Sequence, residues 1–227
     1  MANIEKYYTQ FHLRRMGIHC YPNEFLVRTM LGKYPRLKLK HDYKDKRILD
    51  LGCGDGRNMV LLHNLKMKIF GVEITKEICD AVGRRMKRFG IDADIRVGRN
   101  ANVPFEDDYF DYILAAASLY YIDKGIPFNS TMCEISRVLR SKGILIATLA
   151  HPKTFILKGA RELGDGLLEI TNDPFKLRNG NVFKVFKSKE NIIREFSPSF
   201  KNISIGTTID DYYGLKQDLW LLVAQKK

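Results

Sequence analysis

Short apolar runs alternate along the chain with stretches whose apolar positions recur at helical spacing, and this alternation continues to about residue 150. Residues 47–51, Arg-Ile-Leu-Asp-Leu, end abruptly at a segment carrying Gly52, Gly54 and Gly56. Such a run predicts a buried strand that enters a tight turn. Residues 59–62 then suit a helix and residues 68–73 a second strand. Ile78, Val82 and Met86 share one face of a helix predicted over 76–89, and residues 94–97 read as extended. A further strand at 111–115, a helix over 132–139 and a strong strand at 143–149 complete the series. Strands separated by helices argue for an α/β fold: a mostly parallel sheet covered on both faces, with ligands beyond the carboxyl ends of its strands.

The pattern breaks after Ala150. Residues 151–187 hold Gly159, Gly164, Gly166, Pro174 and the turn signal Asn179-Gly180, with no clear periodicity before 182–186. A connection this long in a compact domain is usually functional, so it reads as a substrate-side insertion or lid. Ser188 is placed to cap a short helix over 188–196, with Asn191 at the capping-box position, and strands at 202–209 and 219–224 would close the sheet. The expected organisation is one domain: a helical N-terminal cap over 1–46, a ligand-binding core over 47–150, the insertion over 151–187, and sheet completion over 188–227.

Composition narrows the class. With 227 residues, 45% hydrophobic and 28% charged, the chain lies in the globular range. No apolar run is long enough to span a bilayer, and the first fifteen residues show no secretory pattern, so a cytoplasmic protein is expected. Cys20, Cys53, Cys79 and Cys133 are too scattered for a zinc ribbon or a redox pair and read as free thiols. The formal charge of +12 favours anionic partners, and much of it lies in residues 1–47.

The glycine segment carries the chemistry. A dinucleotide fingerprint would need glycine at 57, where Arg57 stands, which weakens a dehydrogenase reading. Asp50, Gly52, Gly54 and Gly56 instead resemble the D-x-G-x-G-x-G motif of class I S-adenosylmethionine-dependent methyltransferases. Three further segments resemble the same family: Gly71-Val-Glu73, Asn102-Val-Pro-Phe105 with Phe110-Asp111, and the run from Arg137 to Gly143. The resemblance covers about residues 47–150. It implies a Rossmann-like fold with a seven-stranded sheet and S-adenosyl-L-methionine as cofactor, released as S-adenosyl-L-homocysteine. It also implies that Glu73, with Ile74 beside it, holds the ribose, because one carboxylate can accept from two adjacent hydroxyls. Where many members carry Gly-Asp-Ala, this chain has Gly98-Arg99-Asn100-Ala101, so adenine contact falls to Asn100 and Ala101; Ala115 closes the expected cofactor set.

Methyl transfer asks mainly for alignment, with a base where the acceptor is a hydroxyl. His151 directly follows the strand at 143–149 and is the first candidate base, its ordinary pKa suiting neutral pH. Tyr8 and Tyr21, in an N-terminal segment that also holds Tyr7 and His19, are further catalytic candidates, and Tyr120 and Tyr121 are placed to face the acceptor. The sequence Ala115-Ala-Ala-Ser118 lacks the Pro-Pro-aromatic run of adenine N-methylating enzymes, and no set of clustered acids suggests a metal. The expected acceptor is a small, polar, anionic molecule. O-methylation of a sugar nucleotide or phosphorylated saccharide is the preferred form, since the segment from Tyr21-Pro22 to Arg28 faintly resembles methyltransferases of bacterial surface-polysaccharide synthesis. An RNA methyltransferase, resting on charge, and a non-catalytic S-adenosylmethionine-binding protein are the alternatives.

Overall fold

A computed structural model describes residues 2–17 and 20–227. His19 lies outside the described residues. Seven strands form the main sheet: β1 (Arg47–Leu51), β2 (Lys68–Glu73), β3 (Ala93–Val97), β4 (Phe110–Ala115), β6 (Leu139–Ala150), β10 (Phe200–Tyr212) and β11 (Leu215–Lys226). Their spatial order is β10-β11-β6-β4-β1-β2-β3. The β1/β2, β2/β3, β1/β4 and β4/β6 pairs are parallel, whereas β11 runs antiparallel to both β6 and β10. The order reverses at β1 and β4, which puts the expected ligand crevice over their carboxyl ends.

Alternation along each strand divides the core in two. Ile48 packs with Leu26 and Met30 of α2 (Glu24–Leu31), Met59 and Leu62 of α3 (Met59–Asn64), and Ile78, Val82 and Met86 of α4 (Lys76–Arg88). Its neighbour Leu49 points the other way, into a cluster with Met132 and Ile135 of α5 (Phe128–Val138) and Ile192 and Phe196 of α6 (Lys189–Phe196). Period-two side chains on a strand buried on both faces require this arrangement. Ser188 caps α6 as expected, its hydroxyl accepting the Asn191 N–H at 3.3 Å.

Several boundaries differ from the sequence reading. Helix α5 begins at Phe128 and gives way to strand at Leu139, earlier at both ends than expected. The strands predicted at 202–209 and 219–224 are a hairpin of thirteen and twelve residues. The insertion holds a 3₁₀ turn (Phe155–Leu157) and three short strands, β7 (Arg161–Gly164), β8 (Leu167–Glu169) and β9 (Val182–Lys184). With β5 (Tyr121–Ile122) these make a second sheet, ordered β5-β9-β8-β7. A third cluster, including Tyr120, Ala150, Ile156, Ile170 and Phe183, packs it on the main sheet. All four cysteines are free thiols. Among the described residues no helix is long and apolar enough to cross a membrane.

Phe110 is fully buried among the rings of Phe70, Phe105 and Tyr109, with centroids 5.0 to 5.4 Å away. Phe110→Ala should therefore destabilise the protein by about 3–5 kcal/mol, read from the midpoint of denaturant unfolding. A loss under about 1 kcal/mol would show that this cluster is not part of the cooperative core.

Candidate active site

The chain leaves β1 at Leu51 and turns through Gly52, Gly54 and Gly56, all with positive φ. At Gly52 a Cβ would stand 2.6 Å from Ser118 Cβ, and at Gly54 it would stand 2.7 Å from the His12 ring. Both the left-handed backbone and the close approach therefore require glycine here. The turn is clamped from two sides. Glu73, at the end of β2, accepts the Gly54 N–H at 2.8 Å through Oε1 and the Ile74 N–H at 2.9 Å through Oε2. Arg85 of α4, almost wholly buried, donates to the Asp55 carbonyl at 2.8 Å.

Two buried carboxylates dominate the electrostatics. Burial raises the pKa of Glu73, opposed by its backbone donors and by Tyr8. Asp50 is fully buried with no hydrogen-bond partner on either oxygen among the described residues. Burial first, then the charges of Glu73 and Asp55, push its pKa up to about 8. An orphaned carboxylate of this kind is a site for a cationic group. S-adenosylmethionine brings a sulfonium and an ammonium, and its ribose offers a diol to Glu73, so the residues present fit it.

Asn100 donates through Nδ2 to the carbonyls of Ser118 (2.8 Å) and Tyr121 (3.1 Å), which orients its Oδ1 as the remaining acceptor. Ala101 lies in the same turn, closed by the Arg99–Asn102 bridge. Ala115 is fully buried in the α5–α6 side of the core, so its side chain supports the crevice from below. Arg99, the departure from the family pattern, pairs with Asp123 at 2.7 Å and with Glu5 of α1 (Ala2–Arg15).

Helix α1 lies across the glycine turn, within the segment expected as a helical N-terminal cap. The Tyr8 hydroxyl donates to Glu73 Oε1 at 3.1 Å, Thr9 meets Thr75 at 3.3 Å, and Arg15 pairs with Asp55 at 3.5 Å. His12 packs on Gly54 beside Tyr8, and burial lowers its pKa to about 4, so its ring is neutral at neutral pH. Tyr8 thus sits on the carboxylate expected to hold ribose, with burial and Glu73 raising its own pKa. Tyr21 is 73% exposed between α1 and α2.

His151 occupies the turn after β6. Its Nδ1 accepts the Lys153 N–H at 3.2 Å and lies 3.8 Å from Asp218, and its ring packs on Trp220. Burial holds its pKa below the ordinary imidazole value, with Asp218 opposing. It does not line the chamber that opens at the ends of β4 and β6. That chamber, about 170 Å³, is walled by Tyr120, Phe155, Phe175 and Phe183. Arg178 is the one charged residue among the described residues that line it. Its Nε donates to the Tyr121 hydroxyl at 3.2 Å and its Nη1 to Asp173 at 3.3 Å. Asp173 in turn accepts the backbone N–H groups of Phe175, Leu177 and Arg178, which fixes the guanidinium. Burial raises the pKa of both Tyr120 and Tyr121. The only sequence signal near Arg178 was the Asn179-Gly180 turn.

Residues 49–147 match a family model described as a methyltransferase domain. Two solved structures share the fold. A S-adenosylmethionine-dependent methyltransferase of Methanosarcina mazei has a TM-score of 0.64 at 20% identity, over 86% of this chain and 98% of that one. A possible histamine N-methyltransferase of Thermotoga maritima has a TM-score of 0.63 at 18% identity, over the whole of both chains. The fold is thus that of these methyltransferase structures, and residues 49–147 resemble a methyltransferase domain. S-adenosyl-L-methionine is the cofactor that this likeness implies. A fatty-acid O-methyltransferase of Mycolicibacterium smegmatis is 27% identical over 157 residues, 68% of this chain and 56% of that protein. The chain spans about half the length of the first curated relatives it matches.

Two outcomes follow from these contacts. The raised pKa of Asp50 means that the folded domain holds a proton the unfolded chain has lost, so stability without cofactor should fall as pH rises from about 4 to about 8. Asp50→Asn should flatten that dependence in thermal melts across the window; an unchanged slope would show that Asp50 is ionised when buried. Tyr8 and a ribose diol compete for Glu73, so Tyr8→Phe should tighten S-adenosylmethionine binding by up to about tenfold, the worth of one such hydrogen bond. Calorimetry that finds weaker binding instead would make the Tyr8 hydroxyl a partner of the cofactor.

Proposed function

We propose that the protein transfers the methyl group of S-adenosyl-L-methionine to the carboxylate of a small acceptor held in the chamber beside Arg178. Arg178 carries this reading: a guanidinium held in place by Asp173 and Tyr121, in a cavity otherwise lined mostly by aromatic and aliphatic side chains, with Thr154 and Gln217, suits a planar anion attached to an apolar body. On this reading Asp50, Gly52, Gly54 and Gly56 seat the donor, Glu73 with the Ile74 backbone takes its ribose, and Asn100 Oδ1 with Ala101 meets its adenine.

The turn from Ser118 to Tyr121 belongs to both sites. Ser118 packs on Gly52, Asn100 fixes the Ser118 and Tyr121 carbonyls, and Tyr120 enters the chamber wall. That continuity supports direct transfer between them, where alignment is the main source of rate. Bound S-adenosylmethionine supplies a methyl carbon made electrophilic by sulfonium. A carboxylate oxygen attacks that carbon with a lone pair, and the carbon–sulfur bond breaks with its electrons passing to sulfur. A methyl ester and a thioether result. Anion and cation become two neutral products, and no proton needs a base.

The surrounding groups agree with that requirement. His12 is a neutral, weakly basic ring, the Tyr120 and Tyr121 phenols are raised by burial, and His151 uses Nδ1 within its own turn. A hydroxyl acceptor would require a base that these groups supply poorly. A sugar nucleotide would bring a diphosphate and many hydroxyls to aromatic walls with one cation, so the saccharide expectation gives way to a carboxylate. The relative from Mycolicibacterium smegmatis, by its name, O-methylates a fatty acid, which supports the same acceptor chemistry.

Labelled S-adenosylmethionine and a panel of carboxylic acids test the proposal. Arg178→Gln should lower kcat/KM for the preferred acid by about ten- to a hundredfold, with cofactor affinity unchanged. In the same assay turnover should stay nearly flat from about pH 6 to about 8 and survive His151→Ala. Label on hydroxyl compounds only, or a profile that rises with an imidazole pKa and vanishes in His151→Ala, would restore the base mechanism.

A further inference from the structure

We infer that the domain holds a second, apolar subsite, a groove on the α2 face of β6, β11 and β10 that takes the hydrocarbon chain of the acceptor. The inference rests on the carboxylate reading above and extends it.

The floor of this groove follows from the sheet register. Three rows of side chains cross β10, β11 and β6 on one face: Ser204–Val223–Ile146, Gly206–Leu221–Thr148 and Thr208–Leu219–Ala150. Helices α2, α3 and α4 pack over the β1 side of that face, as the cluster around Ile48 shows. The rows on β6, β11 and β10 instead floor a cavity of about 670 Å³, whose opposite wall carries Phe25 and Leu37 together with the polar Glu24, Arg28, Tyr34 and Arg36. A volume of this size lies within the range of about 300–1,000 Å³ usual for ligand sites.

The third row joins groove to chamber. Leu219 and its neighbours Gln217 and Tyr212 line both cavities, and Ala150 lines the chamber beside Leu219. From that row to the Ser204 row is four residues along a strand, about 13 Å. The far end is bridged where the Lys38 N–H donates to Ser204 Oγ at 2.9 Å. Tyr212, about half exposed, lines both cavities at the junction. A linear molecule with its anion at Arg178 therefore finds, next to that anion, an apolar path of bounded length. A straight acyl chain laid along the floor matches its Ile146, Leu221 and Val223 side chains, with the polar Arg28 and Arg36 confined to the opposite wall and rim.

Gly206 supplies the test. The nearest atoms a Cβ there would meet belong to the Leu221 side chain, at 3.6 Å or more, so a larger residue fits the strand and fills the groove. For the unaltered protein kcat/KM should climb from butanoate to decanoate by about fourfold per methylene, the value of burying each. Gly206→Leu should abolish most of that gain and leave butanoate turnover as it was, which also reports correct folding. Calorimetry without cofactor should show decanoate binding more weakly to Gly206→Leu. Phe25→Ala, which widens the groove, should move the optimum to longer acids. If both acids are methylated equally well and Gly206→Leu changes neither, the groove inference falls and the carboxylate reading stands. If no acid is methylated by protein that binds S-adenosylmethionine, the carboxylate reading fails and this inference fails with it.

Discussion

The backbone turn at the end of β1 is the constraint on which the rest depends. Three left-handed glycines in five residues cost conformational entropy and supply no side-chain packing, so the turn must be held from outside. Glu73 does this with backbone hydrogen bonds from below, Arg85 with the Asp55 carbonyl, and Ser118 and His12 by filling the space a side chain would occupy. Because those four residues come from β2, α4, the β4 connection and α1, the turn ties together elements otherwise far apart in sequence. A change at any of them reaches the cofactor crevice through the same few peptide groups.

The same turn gathers carboxyl groups where solvent cannot screen them. Asp50, Asp55 and Glu73 converge on the crevice, and Asp55 is ion-paired with Arg15, Arg57 and Arg85. Asp50 instead keeps its proton and has no hydrogen-bond partner among the described residues, which leaves it to ionise against a ligand cation. The arrangement is a local violation of the rule that buried polar groups are paired, and such violations gather at functional sites. The reaction proposed here follows the same logic at larger scale, since opposite charges brought together in a poorly hydrated crevice disappear as the methyl moves.

Much of the fold was legible in local pattern. The strand β1, the helix α4 with its spacing of Ile78, Val82 and Met86, and the glycine turn all announce themselves within a few residues, because strand period, helix period and positive φ are local properties. The long hairpin was underestimated because its outer residues, such as Asp211 and Lys216, are exposed and carry no apolar alternation. The small second sheet escaped notice because β5 has two residues and β8 and β9 three each, too short for periodicity to register. In the site, Glu73 and the glycines could be placed by motif. Tyr8 on Glu73, Arg178 in the chamber and His12 over Gly54 could not, since each depends on where a separate segment docks. His151 lay where the strand pattern put it, yet which of its nitrogens is engaged is decided by the geometry of a single turn.

Part of the grip of α1 is ionic, beside its buried contacts through Tyr8 and His12. Glu5 with Arg99 and Arg15 with Asp55 are partly exposed pairs, and the Debye length at an ionic strength of about 0.15 M is only about 8 Å. Dissolved salt therefore weakens the hold of the helix, while the buried bonds beneath the glycine turn are shielded from it. Ionic strength is thus a control on the ionic part of that hold and not on the bonds beneath the glycine turn. A protein with formal charge +12 moving between dilute solution and a polyanionic surface would experience that control as a change of surroundings.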